Sequence, residues 1–82
     1  MSNRTAATVR NAKQAIAELL DAASRSESAY LSCNSEESWQ DISLGLCAEI
    51  ESYQEVERSD APNEFWGEID GTEVRGYMSI DG

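Results

Sequence analysis

The sequence predicts an α+β fold in which two antiparallel helices are followed by a C-terminal two-stranded β-hairpin that packs on them. Three observations indicate this order. Apolar residues recur at helical spacing up to about residue 57, a single proline then interrupts the pattern, and an apolar period of two follows around an Asp-Gly pair. The 82 residues are enough for one small domain with a thin stability margin, which leaves open a homodimer.

The first helix is predicted from about residue 5 to about residue 25. One apolar stripe is formed by residues three or four positions apart, namely Val9, Ala12, Ile16, Leu19 and Ala23. Alanine, which strongly favours the helix, fills much of the remaining sequence. We expect the hydroxyl of Thr5 to cap the first turn.

The second helix is predicted from about residue 35 to about residue 57, with Asn34 or Ser35 as its cap. Its apolar and aromatic residues fall on one narrow face and are Trp39, Ile42, Leu46, Ile50 and Tyr53. The connection between the two helices is short. A short connection favours an antiparallel helical hairpin.

The β-hairpin is predicted from about residue 64 to about residue 80. Pro62 ends the second helix, and Asp70-Gly71 is typical of a two-residue type I′ turn. This turn would place Ile69 opposite Thr72 and Trp66 opposite Arg75.

That register sorts the hairpin into two faces. The apolar face consists of Phe65, Ile69, Val74, Met78 and Ile80, with glycines at 67 and 76 between them. The missing side chains of these glycines would let a helix approach closely. The charged face consists of Glu64, Trp66, Glu68, Glu73, Arg75, Tyr77 and Ser79. We therefore expect the apolar face to cover the helices, with an Arg75–Trp66 cation–π contact as the simplest role for those two residues.

The usual signatures of catalysis and of metal or cofactor binding are missing from the sequence. It has no histidine, no glycine-rich phosphate-binding motif and no calcium-loop spacing. Cys33 and Cys47 are the only cysteines, and we expect both to be buried free thiols. The sequence thus predicts a non-enzymatic protein with no catalytic residues, no metal and no cofactor.

A targeting segment is not predicted either. No apolar run approaches the roughly 20 residues of a membrane span. The first ten residues lack the apolar stretch of a secretion signal. We expect a cytoplasmic protein that does not associate with membranes.

The charge is distributed unevenly along the chain. Residues 1–30 carry four basic and three acidic side chains, whereas residues 31–82 carry two basic and thirteen acidic ones, and the net charge is −10. Such a surface repels nucleic acid and attracts basic protein surfaces. We expect a partner that is itself a nucleic-acid-binding protein or a ribonucleoprotein effector, and no direct binding of nucleic acid.

Two groups of residues are predicted to contact this partner. On the second helix, Glu36 lies at the start, and one face opposite the aromatic stripe carries Glu37, Asp41, Glu51 and Glu55. On the charged hairpin face, aromatic and acidic residues alternate as Glu64, Trp66, Glu68, Glu73 and Tyr77. Rows of carboxylates can imitate phosphates, and exposed aromatic residues among charges are typical of interface hot spots.

In size, acidity and lack of catalytic residues, the whole chain resembles the small acidic inhibitors that phages direct against bacterial defence systems, including anti-CRISPR and DNA-mimic proteins. The resemblance is one of type and includes no shared motif, so it assigns no role to an individual residue. It implies that the chain blocks a CRISPR effector, whose basic channels hold guide and target strands.

Two other interpretations remain open at this point. The chain could be a regulatory adaptor that binds one basic partner through the Trp66–Tyr77 face, or a generic domain from a salt-adapted organism, in which acidic residues keep proteins soluble. Replacing Trp66 by alanine tests the adaptor. Unfolding below molar salt would indicate the salt-adapted domain.

Overall fold

The computed structural model describes residues 4–34 and 37–80, with the side chains of Arg4, Thr5 and Ile80 excepted. Two helices and five strands form in this part of the chain. In chain order they are β1 (Arg4–Val9), α1 (Ala12–Ser24), β2 (Ser28–Cys33), α2 (Trp39–Glu49), β3 (Glu51–Val56), β4 (Asn63–Ile69) and β5 (Thr72–Ile80). The fold is α+β, but the predicted arrangement of two helices and a two-stranded hairpin is wrong, because the sheet has three further strands.

The strands form one mixed sheet in the order β1-β2-β5-β4-β3. β1, β2 and β5 are parallel, whereas β4 is antiparallel to both of its neighbours. Each helix connects the end of one strand to the start of another strand that runs the same way, so both helices run opposite to these strands. The helices are therefore parallel to one another. The predicted antiparallel pair is wrong because β2, which runs opposite to both helices, connects the end of α1 to the start of α2.

The first predicted helix begins too early. Residues 4 to 9 form β1, and α1 follows the cap Asn11, whose side-chain oxygen accepts a hydrogen bond of 2.9 Å from Gln14 N. Thr5 lies in β1, so the predicted cap at this residue is wrong. Val9 is fully buried as part of β1. Its position fits the helical stripe and an alternating strand equally well, which explains the error.

The second predicted helix is too long at both ends. α2 follows Ser38, whose hydroxyl oxygen accepts a hydrogen bond of 3.3 Å from Asp41 N, so Asn34 is not the cap and Ser35 lies outside the described residues. The helix ends before Ile50, and Ser52 adopts a positive φ of 57° at the start of β3. Tyr53 thus lies in a strand, where its ring stacks on Phe65 with centroids 6.3 Å apart.

The hairpin prediction is confirmed in its turn and register. Asp70 and Gly71 both have positive φ, 51° and 80°, as a type I′ turn requires. Ile69 pairs with Thr72, and Trp66 pairs with Arg75. The described residues of the predicted apolar face are all buried, namely Phe65, Ile69, Val74 and Met78.

The core lies between the two helices and one face of the sheet. The largest fully buried side chains come from both layers and include Leu19, Ile42 and Leu46 from the helices and Leu31, Phe65 and Met78 from the strands. Ile50, which joins α2 to β3, packs directly over Gly67, where its Cγ2 would collide with any β-carbon. The predicted approach of a helix at these glycines is wrong, because the residue over Gly67 lies just beyond the end of α2 and the space at Gly76 is filled by the ring of Phe65.

The two cysteines have different environments. Cys33 is buried in β2, as predicted, whereas Cys47 is exposed on α2. The prediction for Cys47 is wrong because the shortened helix turns only one stripe, Trp39, Ile42 and Leu46, towards the core. Both thiols are free.

Candidate functional site: an open acidic sheet face

One face of the sheet carries both helices, and the other has no cover among the described residues. Side chains alternate between the two faces along every strand. On the uncovered side, which we call the open face, every described side chain is exposed or half-buried, from Ala6 and Tyr30 to Tyr77, Trp66 and Val56. Residues directly opposite one another on neighbouring strands share a face, so the register arranges the open face in rows.

One row of the open face consists of three glutamates. Glu73 on β5 lies opposite Glu68 on β4, which lies opposite Glu51 on β3. Neighbouring strands are about 4.8 Å apart, so the three backbone positions fall within about 10 Å. All three side chains are exposed. In residues 4–34 and 37–80, no ion pair involves any of them. Like charges placed directly opposite one another repel, so this row stores unfavourable electrostatic energy.

An aromatic strip lies beside the glutamate row. Trp66 is flanked by Arg75 and Gln54 in the next row. Tyr77 lies opposite Tyr30, with ring centroids 6.3 Å apart. The three aromatic rings are half-buried, so each has a packed edge and a surface that another molecule can contact.

Glu64 differs from the other acidic residues of the open face because it is paired. Its Oε1 lies 3.4 Å from Arg58 Nη2, its Oε2 lies 3.2 Å from Arg75 Nη2, and its side chain is only 15% exposed. The Arg75 guanidinium, expected to stack on Trp66, thus has Glu64 as its ionic partner. Two arginines offset the charge of Glu64, which leaves Glu51, Glu68 and Glu73 as the uncompensated carboxylates of this face.

Charge increases across the sheet from one edge to the other. β1 and β2 contain no aspartate or glutamate, β5 contains one glutamate, and β4 and β3 contain two each. The uneven charge of the linear sequence is therefore also an uneven distribution in space. We call the side of β5, β4 and β3 the acidic half of the sheet.

The structure brings part of the predicted partner-binding set together. The members on the open face are Glu51, Glu64, Trp66, Glu68, Glu73 and Tyr77. Glu36 lies outside the described residues. The remaining members, Glu37, Asp41 and Glu55, lie elsewhere.

The predicted acidic face of the second helix is wrong. Glu37 precedes α2 and accepts a hydrogen bond of 2.9 Å from Ala12 N at the start of α1, and Asp41 is exposed in the first turn of α2. Glu51 and Glu55 belong to β3 and lie on opposite sides of the sheet, because one pairs with exposed Glu68 and the other with buried Phe65. The four carboxylates therefore cannot act as one surface.

Glu55 lies next to Tyr53 on β3 and changes the pKa of its hydroxyl group. The Tyr53 hydroxyl donates a hydrogen bond of 2.6 Å to Glu55 Oε1. Burial, this hydrogen bond and the negative charge of Glu55 raise the pKa of Tyr53 well above its ordinary range. Tyr53 is consequently a neutral hydrogen-bond donor rather than an acid–base group.

Sequence reasoning missed Tyr30, which extends the aromatic strip onto β2. The residue also fits an extension of the first helical stripe, so its strand went unrecognised. The useful signal was the alternation of small polar and apolar residues from Ser28 to Cys33, which matches the observed alternation of half-buried and buried positions.

Of the strand residues that line a cleft of about 430 Å³, Ser79 belongs to the open face, whereas Asn63 and Met78 are buried on the other face. Trp39, Arg58, Asn63 and Met78 are among the residues that line it, and none of the predicted partner-binding residues does so. Among the buried side-chain atoms of the described residues, Trp39 Nε1 lacks a hydrogen-bond partner. In the same residues, no group of histidine, cysteine, aspartate or glutamate side chains is arranged to hold a metal ion.

Neither described helix is long and apolar enough to cross a membrane. No protein-family profile matches the sequence, and no characterised protein or solved structure is significantly similar to it.

Proposed function

We propose that this chain is a non-enzymatic acidic protein that binds and blocks a basic, nucleic-acid-binding surface of a partner protein. The row of Glu51, Glu68 and Glu73 carries this proposal, since these three exposed carboxylates have no cationic partner in the described part of the chain. Folding gains nothing from placing them opposite one another. A basic partner surface would relieve their mutual repulsion and so bind preferentially there.

The rest of the open face suits the same partner. Trp66 lies in the row next to the glutamates, and Tyr77 lies one row further along the sheet. Both provide apolar area, which carbon-rich arginine and lysine side chains can cover. The net charge of −10 attracts basic surfaces at long range. The association rate is then high, and it falls steeply as salt is added.

The resemblance to small acidic phage inhibitors supports the most concrete form of this proposal. In that form the chain occupies the basic channel of a CRISPR effector, in the cytoplasm of the host cell, and excludes guide or target strands. The inhibitor needs no catalytic group, which agrees with a sequence that lacks histidine.

The test compares two variants that remove the same charge from different surfaces. The open-face variant replaces Glu51, Glu68 and Glu73 by glutamine. The control variant combines Asp41→Asn, Glu49→Gln and Asp60→Asn, which change exposed carboxylates outside the glutamate row. The native chain and the two variants are each immobilised on a support. Each support is then incubated with a nuclease-treated bacterial lysate at low and at moderate salt. Captured proteins are then purified and assayed for binding to labelled nucleic acid.

The proposal expects capture of a nucleic-acid-binding protein, and competition between the chain and nucleic acid for that protein. The open-face variant should compete at least about tenfold less well, while the control stays within about twofold of the native chain, since removing interfacial charge pairs costs one to several kcal/mol. Equal losses in both variants, or capture without competition, would contradict the proposal.

The aromatic strip favours one alternative, a regulatory adaptor that binds a basic partner chiefly through Trp66 and Tyr77. Trp66→Ala separates the two functions. An adaptor loses binding in this variant and retains most of it in the open-face glutamine variant, because a central aromatic residue dominates a hot spot. A protein that blocks a nucleic-acid-binding surface through its carboxylates loses more binding in the open-face glutamine variant than in Trp66→Ala.

A further inference from the structure

The two edges of the sheet are protected to different degrees. On β3, the pairing with β4 is interrupted between Glu51 and Gln54, and Ser52 has a positive φ of 57°. A bulge and carboxylates are common means of preventing an edge strand from pairing with another chain. On β1, the register with β2 is unbroken, and the six residues include no proline and one charged residue, Arg4, at the start of the strand.

The open-face side chains of β1 are also small. Ala6 and Thr8 are exposed and leave room for another strand. Among the described residues, no strand pairs with the outer edge of β1. The backbone N–H and C=O groups along that edge are a template for strand addition.

We propose that β1 pairs antiparallel with β1 of a second copy of this chain, about a two-fold axis, to form a continuous ten-stranded sheet. A two-fold contact uses the same patch on both copies, and antiparallel pairing of one strand with itself satisfies this requirement. Open-face residues of one copy then lie opposite open-face residues of the other, which places Ala6 and Thr8 near the axis.

For contact between two copies of the chain, the charge distribution favours this edge of the sheet over the opposite one. Each chain has a net charge of −10, so contact between acidic halves is strongly unfavourable. β1 and β2 carry no carboxylate, and the nearest one in the sheet is Glu73 on β5, two strands from the edge. Across the proposed junction the two Glu73 positions are about 24 Å apart, about three times the Debye length of roughly 8 Å at physiological salt.

The dimer would present two acidic halves at the far ends of one sheet. This arrangement goes beyond the proposed function and does not depend on it. A single face with two acidic ends could contact two basic surfaces, or one long surface, at once.

The experiment measures the mass of the chain in solution by sedimentation velocity, from about 10 µM to about 1 mM, a range that brackets a weak strand-mediated dimer. We expect the mass to rise with concentration from 9.0 kDa towards twice that value. Added salt should strengthen association several-fold, because it screens the residual repulsion.

Two matched variants locate the contact. Ala6→Glu with Thr8→Glu places four carboxylates near the proposed axis and should weaken dimerisation at least about tenfold. Gln54→Glu with Val56→Glu adds the same charge to exposed positions on the opposite edge and should change it by less than about threefold. Circular dichroism checks that both variants fold.

A measurement on the native chain keeps the proposal testable if a variant does not fold. Hydrogen exchange should show concentration-dependent protection of alternate β1 amides, those that point away from β2. The native chain remaining monomeric up to about 1 mM would overturn the proposal. Equal weakening by both variants, or a dimer without protection of the β1 amides, would overturn it as well. If β1 pairs only with a strand of another protein, the purified chain will remain monomeric.

Discussion

The ring of Phe65 lies over Gly76, its direct partner on β5, and occupies the space that a side chain at position 76 would need. A β-carbon there would lie 2.5 Å from Phe65 Cζ and 2.9 Å from the Ala29 backbone oxygen. Gly76 sits between β2 and β4 in the centre of the sheet, so neither neighbour can move away without disturbing a strand.

Gly76→Ala should therefore lower the free energy of unfolding by about 1–3 kcal/mol, the usual cost of overfilling a packed core. Urea denaturation followed by circular dichroism measures the change. The same substitution in a Phe65→Leu background provides the control, because a smaller side chain over position 76 leaves room for the methyl group. If the two substitutions have simply additive costs, the ring does not occupy this space.

The Asp70-Gly71 turn gives a second prediction, which concerns the backbone alone. Gly71 has a φ of +80°, and no atom lies within 4 Å of the position that a β-carbon would take. Gly71→Ala should cost about 1–2 kcal/mol through backbone strain and not through collision. Asp70→Asn, which keeps a residue suited to positive φ, should leave stability within about 0.5 kcal/mol of the native value. Thermal and urea unfolding of both variants would detect a reversed order.

The glutamate row predicts that removal of its central charge stabilises the protein. Glu68→Gln relieves repulsion from both Glu51 and Glu73 and should raise the free energy of unfolding by about 0.5–1 kcal/mol at low salt. The gain should shrink as salt rises, because exposed charges are screened. Asp60→Asn makes the same change of net charge in the loop between β3 and β4 and serves as the control. A gain that is equal in both variants would indicate general repulsion rather than a row effect.

Tyr53 predicts a loss of stability in alkaline solution. Burial and the hydrogen bond to Glu55 raise the pKa of Tyr53, so the folded chain keeps the phenol proton where the unfolded chain, with a pKa of about 10, loses it. The stabilising contribution is fully present below about pH 10 and declines as the pH rises further.

Unfolding measured between about pH 9 and pH 12 tests this sign. Tyr53→Phe should flatten the decline by up to about 1.4 kcal/mol per pH unit. Glu55→Gln is the partial control, because it removes the charge and leaves the burial, and it should flatten the decline less. A decline that is unchanged in Tyr53→Phe would contradict the assignment.

The hairpin could be predicted from sequence because its determinants are local. Asp70-Gly71 fixes the turn, and the turn fixes which residues share a face, so the predicted pairs of Ile69 with Thr72 and of Trp66 with Arg75 are correct. The open-face part of the site that lies on β4 and β5 followed directly from that register.

The other strands could not be predicted because their evidence is not local. Ile50 and Tyr53 are three residues apart, which suits a helix, yet β3 forms because it pairs with β4 and because Ser52 turns the chain at a positive φ. Val9 likewise fits a helical stripe, yet it lies in a strand that is paired with β2. Because the sequence predicts a helix in place of β3, it also predicts one surface for Glu51 and Glu55, although they lie on opposite sides of the sheet.

The strand order has a consequence for how the chain is made. β5 comes last in chain order among the described elements, yet it lies in the middle of the sheet and joins the β1–β2 pair to the β4–β3 pair. A ribosome delivers it only after every other element has emerged, and until then neither pair has its central neighbour. We therefore expect the nascent polypeptide to stay open until β5 has left the ribosome, and the sheet to form in a single late step.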